Sequence, residues 1–265
     1  LLTPAEFDDA RRTTINAHYT DPTIASTMWA TMSRLGLRSG DVLEPGSGSG
    51  TFIGLAPEGM QITGVELDSI TAGIARNLYP HAEIRAESFA DSPFRSGTFD
   101  GAIGNVPFAD VVLHDRRHNA GRHSLHDHFI IKALDLVRPG GLAIFLTSSF
   151  TMDRANPAAR REMHGLADLL GAVRLPSGAH RRTAGTEVVT DLLVFRRRED
   201  DRTAGDESWT LTQPRRIDDT VVRLNTYFAD HPDHVLGQLV VGNGMYGAET
   251  VRVVGDLSSL PADLQ

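Results

Sequence analysis

Asp41-Val42-Leu43-Glu44-Pro45-Gly46-Ser47-Gly48-Ser49-Gly50 is a short apolar run that ends in a carboxylate and enters a glycine-rich turn at once. Glycine lets a chain turn tightly and approach a ligand with no Cβ in the way, so the stretch predicts a buried strand with a binding turn at its carboxyl end. Working outward, Thr20-Asp21-Pro22 predicts a helix start with proline just inside the cap, and that helix runs to about Leu35, before Gly36. Gln61 to Glu66 predicts the second strand. Ile70, Ile74 and Leu78 then recur at helical spacing until Pro80, and Ala82 to Ala86 predicts the third strand. Phe99 to Gly104 is a fourth.

Further on, Ser124 to Val137 reads as a helix with Phe129, Ile130, Ala133, Leu134 and Val137 on one face, ending at Pro139-Gly140-Gly141. Leu142 to Leu146 gives a fifth strand, Pro157 to Leu170 a helix, and Ala172 to Leu175 and Asp191 to Phe195 two more strands. Alternating strands and helices predict βαβ units and an α/β, doubly wound, mainly parallel sheet. Residues 199–208, including Glu199-Asp200-Asp201, read as a linker, and 209–265 as an extension outside the sheet.

In such a sheet ligands bind beyond the carboxyl ends of the strands, beside the first. Gly46, Gly48 and Gly50 fall there, and Glu66 ends the next strand, where it can accept hydrogen bonds from ribose hydroxyls. That pair does not separate a dinucleotide from S-adenosylmethionine. The turn lacks the G-x-G-x-x-G spacing, because its third glycine comes one residue early. It also lacks the Gly-Lys-Ser/Thr of a phosphate-binding loop. Asn105-Val106-Pro107-Phe108 narrows the choice. It places an amide oxygen, a backbone carbonyl and an aromatic face at one strand end, the equipment to hold a planar group by its exocyclic NH2.

Other features bound the reading. The 265 residues, 40% hydrophobic, suffice for a full core, and there is no cysteine, which excludes disulfides and fits a reducing, cytoplasmic setting. No run approaches the roughly 18 apolar residues of a membrane span, and no signal-peptide pattern opens the chain. Starting at Leu1 without methionine, it is expected to be a piece of a longer protein. The histidines from His114 to His128 do not reproduce a metal-ligand spacing, so no metal is expected; a polar cover over the bound target is. Trp209 and Tyr227 are expected to anchor the extension.

The motifs D-V-L-E-P-G-S-G-S-G, G-V-E-L-D, A-E-S-F and N-V-P-F, in that order, resemble those of class I methyltransferases that modify exocyclic amines. The order is similar to that of the gamma group of adenine-N6 DNA methylases, with His18-Tyr19-Thr20-Asp21-Pro22 before the glycine turn. Arg138-Pro139-Gly140-Gly141, Thr147 to Asp153, Leu170 to Pro176, Ala184 to Val188, Tyr227-Phe228 and Met245-Tyr246-Gly247 resemble the methylase part of large methylase–helicase proteins of phages, plasmids and mobile elements.

The resemblance implies a seven-stranded Rossmann-like sheet over residues 1–198 and S-adenosylmethionine as cofactor. Tyr19 and Thr20 would hold its methionine end. Glu44, Pro45, Gly46, Gly48 and Gly50 would line its amino-acid and sulfonium region. Glu66 would bind the ribose and Leu67 pack on the adenine, with Glu87 or Ser88 near the adenine amine. Asn105, Val106, Pro107 and Phe108 would be catalytic, acting on the N6 amine of adenine in DNA after base flipping. Methylation of a protein glutamine or an RNA base, or a non-catalytic cofactor-binding role, remain alternatives. Val106 departs from the commoner proline and implies a less rigid loop.

A net charge of −8 gives no global basic footprint for DNA. Local clusters are Arg116-Arg117-His118, His180-Arg181-Arg182, Arg196-Arg197-Arg198 and Arg215-Arg216, each of which also reads as a solvated loop or strand end. Only 57 residues follow Ser208, too few for a typical recognition domain. Target choice is therefore expected in the 109–123 and 177–188 loops or in the rest of a larger protein, with cofactor bound well and DNA poorly.

Overall fold

The structure is a computed structural model that describes residues 20–109, 111–179, 189–243 and 249–263. Tyr19, the His180-Arg181-Arg182 cluster and the Ala184–Val188 and Met245–Gly247 segments lie outside the described residues.

The chain opens with helix α1 (Pro22–Arg34), capped by the Asp21 side chain, which accepts the Thr23 N–H at 2.8 Å. Then follow β1 (Gly40–Pro45), a short α2 (Thr51–Gly54), β2 (Met60–Glu66), α3 (Ser69–Leu78), β3 (Glu83–Ala86) and β4 (Phe99–Asn105). After a loop come α4 (Leu125–Leu136), β5 (Val137–Ser148), α5 (Phe150–Asp153), α6 (Ala158–Leu166), β6 (Ala167–Arg174) and β7 (Thr190–Arg197). These seven strands form one sheet in the order β3-β2-β1-β4-β5-β7-β6. All pairings are parallel except those of β7, which runs antiparallel to both β5 and β6. The doubly wound, mostly parallel sheet is the expected fold.

The apolar runs are continuous because both sheet faces are covered, and alternate residues divide between two cores. Leu43, Ala102, Phe145 and Phe195 face α4 and α6; Val42, Ile103, Ile144 and Val194 face α1, α2 and α3.

Three sequence expectations change. The helix expected to reach Leu170 stops at Leu166, and 167–170 already belong to β6. Gly165 weakens the last turn, and Arg197 at the end of β7 and Arg198 just beyond it donate to the carbonyls of Leu166 (2.6 Å) and His164 (2.7 Å), capping it. Those arginines are therefore occupied within the fold. Second, Val137 to Gly141 extends β5 instead of ending a helix in a turn. The strand bulges there, with Gly140 at φ 78. Third, Ile74 and Leu78 are exposed on α3; its buried contacts are Ala72 and Ala75.

The extension holds two hairpins, β8 (Thr212–Ile217) with β9 (Thr220–Asn225) and β10 (Gln238–Asn243) with β11 (Glu249–Val254). Between and after them lie α7 (Thr226–Asp230) and α8 (Leu260–Asp263). Trp209 is buried against Phe195, and the Tyr227 hydroxyl accepts the Ala172 N–H at 3.0 Å. Asn225 donates from its side chain to the carbonyls of Met152 and Trp209, and its N–H donates to Asp153 at 2.8 Å. Beneath them Arg174 pairs in two-pronged fashion with Asp191 (2.7 and 2.8 Å), meets Asp153 at 2.7 Å and lies 4.3 Å over the Phe228 ring. Burial works against both charges of the pair. Two carboxylates nevertheless hold Arg174 above its ordinary value, while burial lifts the Asp191 carboxyl.

Among the described residues no helix is long and apolar enough to cross a membrane.

Candidate active site

The glycine turn is laced to the neighbouring strand. Gly46 and Ser47 both donate to the Val65 carbonyl, at 2.8 and 3.0 Å. Gly46 and Gly48 stand at φ 72 and 54, the left-handed region that side chains resist. A Cβ on Gly46 would lie 3.5 Å from Pro107 Cδ and 3.7 Å from Phe129 Cε1, so the turn abuts the Asn105–Phe108 tetrad directly. A Cβ on Gly48 would meet nothing within 4 Å among the described residues. Gly50 differs, because its Cβ would fall 2.6 Å from the Tyr79 ring. Its small size serves that packing, a role the sequence did not suggest.

Around this turn lie buried acceptors with spare capacity. Glu44 is 2% exposed, and its Oε2, the Ser47 Oγ and the Asp68 Oδ2 have no hydrogen-bond partner among the described residues. Burial, and then the charge of Glu66, push the Glu44 carboxyl well above the ordinary range. Glu66 is also raised by burial, against the pull of the N–H groups of Asp68 and Gly48, each 2.9 Å from one of its oxygens. Ser47 and Asp68 were missed in the sequence. Asp68 had a signal, since it stands three residues before Thr71, whose N–H it accepts at 2.6 Å as the α3 cap.

Leu67 is 72% exposed at this edge. Glu87 donates its N–H to the Glu66 carbonyl at 3.0 Å and pairs with Arg85 at 2.8 Å. The Ser88 carbonyl accepts the Asp91 N–H at 3.0 Å. Thr20 is buried just before α1.

The tetrad closes β4, where Asn105 pairs with Leu146 of β5. A Cβ on the preceding Gly104 would lie 3.8 Å from Glu44 Cγ, which places the β4 end beside that carboxylate. Val106 is fully buried and donates its N–H to the Leu146 carbonyl at 3.0 Å. Proline has no N–H to give. The expected looseness is thus corrected: valine here adds a sheet-type bond and pins the tetrad. Pro107 and Phe108 are half-buried, Phe108 against the α4-side core.

The loop after the tetrad turns most of its polar groups inward, onto α4. Asp115 accepts the N–H groups of Arg117 and His118 at 3.0 Å each, and meets His118 Nδ1 (3.2 Å), His128 Nε2 (3.1 Å) and Lys132 Nζ (3.3 Å). Burial alone would raise Asp115, but these partners hold it well below the usual carboxylate range. His118 Nε2 reaches Asp135 at 3.0 Å, which with Ser96 pulls that carboxyl down to about 2. Burial lowers both His128 and Lys132. His118, His123 and His128 are thus scaffold. No group of three or more potential metal ligands occurs among the described residues. A cavity of about 310 Å³ between this loop, α4 and α6 includes none of the tetrad or glycine-turn residues.

The strand order, the lone antiparallel strand and a glycine turn facing a β4 tetrad define the class I methyltransferase fold. Solved structures with this fold include a Listeria monocytogenes protein named as a class I S-adenosylmethionine-dependent methyltransferase (TM-score 0.56, 15% identity, 71% of this chain and 63% of that one). The methyltransferase subunit of a type I restriction-modification system from Streptococcus thermophilus is similar as well (0.58, 16%, 74% and 48%). So is a modification subunit from Vibrio vulnificus YJ016, named for a type I restriction enzyme (0.58, 16%, 95% and 61%). In sequence, the chain is 28% identical over 188 residues to "Defense against restriction protein B" of Escherichia phage P1. That match spans 69% of this chain but 8% of the phage protein. No family model matches the chain.

Proposed function

We propose that this chain transfers a methyl group from S-adenosylmethionine to the N6 amine of adenine in DNA. The observation that carries the reading is the closeness of the two motifs: Asn105-Val106-Pro107-Phe108 lies beside Gly46, so near that a Cβ added there would stand 3.5 Å from Pro107 Cδ. A planar amine held by the tetrad would therefore face whatever the glycine turn holds.

The cofactor fits the residues present. It offers a cationic methionine end and ribose hydroxyls, and the turn offers the buried acceptors Glu44 Oε2, Ser47 Oγ and Asp68 Oδ2. Glu66 and Glu44 would take the hydroxyls and the positive end, the open face of Gly48 would let the ligand lie on the backbone, and Leu67 would cover the adenine. Tyr19 and Thr20 would hold the methionine end, and Glu87 or Ser88 would stand near the adenine amine. When bound, S-adenosylmethionine supplies an electrophilic methyl.

The protein's own part is orientation. The adenine amine is a weak nucleophile because its lone pair is delocalised into the ring. Asn105 Oδ1 and the Val106 carbonyl, accepting one amine hydrogen each, favour the tetrahedral nitrogen and aim its lone pair. Phe108 stacks on the base after it leaves the duplex. No strong base is needed, because the amine becomes acidic only as the methyl arrives.

We assign catalysis to residues 1–198, a linker to 199–208 and the passage into a larger protein to 209–265. The restriction-related names of the relatives favour DNA over a protein or RNA amine, in a phage or mobile-element setting. The test is transfer of labelled methyl to long unmethylated duplex DNA, followed by nucleoside analysis. N6-methyladenine that falls by about 10²–10³-fold in Asn105→Ala, with cofactor affinity unchanged, is the expected result. Label on protein or RNA alone would replace this reading.

A further inference from the structure

The acidity of the chain is unevenly placed. Residues 199–265 carry 12 Asp and Glu against 5 Arg, leaving 22 acids against 21 Lys and Arg in residues 1–198. The catalytic part is nearly neutral, so a modest cluster of cations there is not drowned by its surroundings. Within 111–124 the single acid is Asp115, which is turned inward and matched by His118, His128 and Lys132. The outward side chains of the same loop include Arg116, Arg117 and Arg122. Arg117 is tied back to Ser96 at 2.6 Å and to Asp135 at 3.6 Å. Arg116 and Arg122 have no carboxylate partner among the described residues.

Arg122 also carries strain. Its φ is 53, the left-handed region that costs a side-chain-bearing residue roughly 1 kcal/mol or more. The glycine beside it, Gly121, does not take the positive φ, and a Cβ there would collide with the His123 ring. The other non-glycine residue with positive φ, Asp218, sits in the two-residue turn of the β8–β9 hairpin, where aspartate is ordinary. Arg122 is held in place from below. The Asn119 carbonyl accepts its N–H at 3.0 Å, and the Asn119 side chain accepts the His123 N–H at 2.7 Å and donates to Leu113 and His123 carbonyls. The His123 ring meets Glu162 at 2.8 Å. An exposed arginine kept in a costly backbone state by so many bonds points to a use for its head group.

The place suits that use. Arg122 stands two residues before Ser124, the cap of α4, and α4 begins at the carboxyl end of the sheet, where its Phe129 would lie 3.7 Å from a Cβ added at Gly46. We propose that Arg122, with the exposed Arg116 of the same loop, is a preformed grip for the phosphates of the nucleic-acid strand that offers its base to the tetrad. This deepens the methylation reading and rests on it for the identity of the strand. Such a grip would give a chain of net charge −8 a local, salt-sensitive contact with DNA.

Arg122→Gly separates this role from a structural one, because glycine relieves the strain while removing the charge. The measurement is fluorescence anisotropy of a labelled duplex with the wild-type chain, Arg122→Gly, Arg122→Lys, Arg116→Gln/Arg122→Gly and the control Arg38→Gln. Titration from about 20 to 200 mM salt should give a log K against log salt slope shallower by about 0.9 for each arginine removed. Arg122→Gly should melt at the same or a higher temperature than wild type yet bind several-fold more weakly. Arg122→Lys should keep the slope, and Arg38→Gln should change nothing.

An Arg122→Gly chain with wild-type affinity and slope overturns the proposal, as does a wild-type chain that binds no duplex at the lowest salt. Nucleoside analysis of the same preparations keeps the two readings apart. N6-methyladenine with unaltered Arg122→Gly binding would sink the grip alone. Weakened Arg122→Gly binding with no methylated base would sink the methylation reading alone.

Discussion

The two sides of β1 treat buried charge in opposite ways. On the β2 side, Glu44 and Asp68 are buried with oxygens that no group among the described residues uses, and Glu44 is pushed towards its neutral form. On the β5–β7 side, Arg174 is just as deeply buried, but three of its nitrogens meet carboxylate oxygens within 2.8 Å. A buried polar atom without a partner costs about 1–3 kcal/mol, so a fold keeps one only where something else repays it. In this pair of regions the matched charge ties the extension to the sheet, while the spare oxygens of Glu44 and Asp68 lie beside the glycine turn, where a ligand can use them. The same contrast explains why the histidine-rich loop, conspicuous in the sequence, is support for the site: Asp115 is saturated by five contacts from the chain itself.

Deleting one charge on each side should shift stability in opposite directions. The larger effect is expected on the scaffold side. Arg174→Met strands Asp191 and Asp153 in the interior and should cost about 3–5 kcal/mol in a urea melt. Arg174→Met combined with Asp191→Leu should recover part of that loss, since an apolar pair needs no partner. A single variant as stable as wild type would mean that water already reaches the carboxylates, and the contrast would fail.

On the ligand side, Glu44→Gln should stabilise the free protein by something on the order of 1 kcal/mol near pH 8. The sign follows from the raised carboxyl. Its contribution to stability is complete below the ordinary value of 4.5 and is lost as pH rises through the higher value in the fold. The wild type therefore weakens over that rise and the glutamine variant does not, so the gain should vanish near pH 4. Calorimetry should show the same variant binding S-adenosylmethionine more weakly. Stabilisation without any loss of cofactor affinity would mean that the spare oxygen of Glu44 serves no ligand.

Much of this was legible in order and spacing. The glycine turn, Glu66 and the tetrad could be placed at strand ends from apolar runs alone, and strand order then brings them together. What could not be read depended on atoms far along the chain. Between 158 and 170 only Gly165 hints that α6 ends at Leu166, and the carbonyls of its last turn are taken up by Arg197 at the end of β7 and by Arg198 just beyond it. Val106 looked like a relaxed substitute for proline, since the Leu146 carbonyl that makes its N–H valuable lies on another strand. Gly48 and Gly50 looked alike in the turn, and only the position of Tyr79 separates them.

That last distinction gives the smallest and sharpest test. Gly48→Ala adds a methyl that meets no atom of the described residues within 4 Å, so its expected cost to the free chain is the left-handed backbone at φ 54, about 1 kcal/mol. Gly50→Ala bears a similar backbone cost and also drives its methyl into the Tyr79 ring, so it should lose clearly more stability. Cofactor affinity should rank the two the other way. If the open face of Gly48 is where the ligand lies on the backbone, alanine there should weaken S-adenosylmethionine binding well beyond the small loss in the urea melt. Gly50→Ala, once folded, should bind nearly as wild type does. Equal affinities in the two variants would move the ligand off Gly48 and leave its positive φ as a feature of the turn alone.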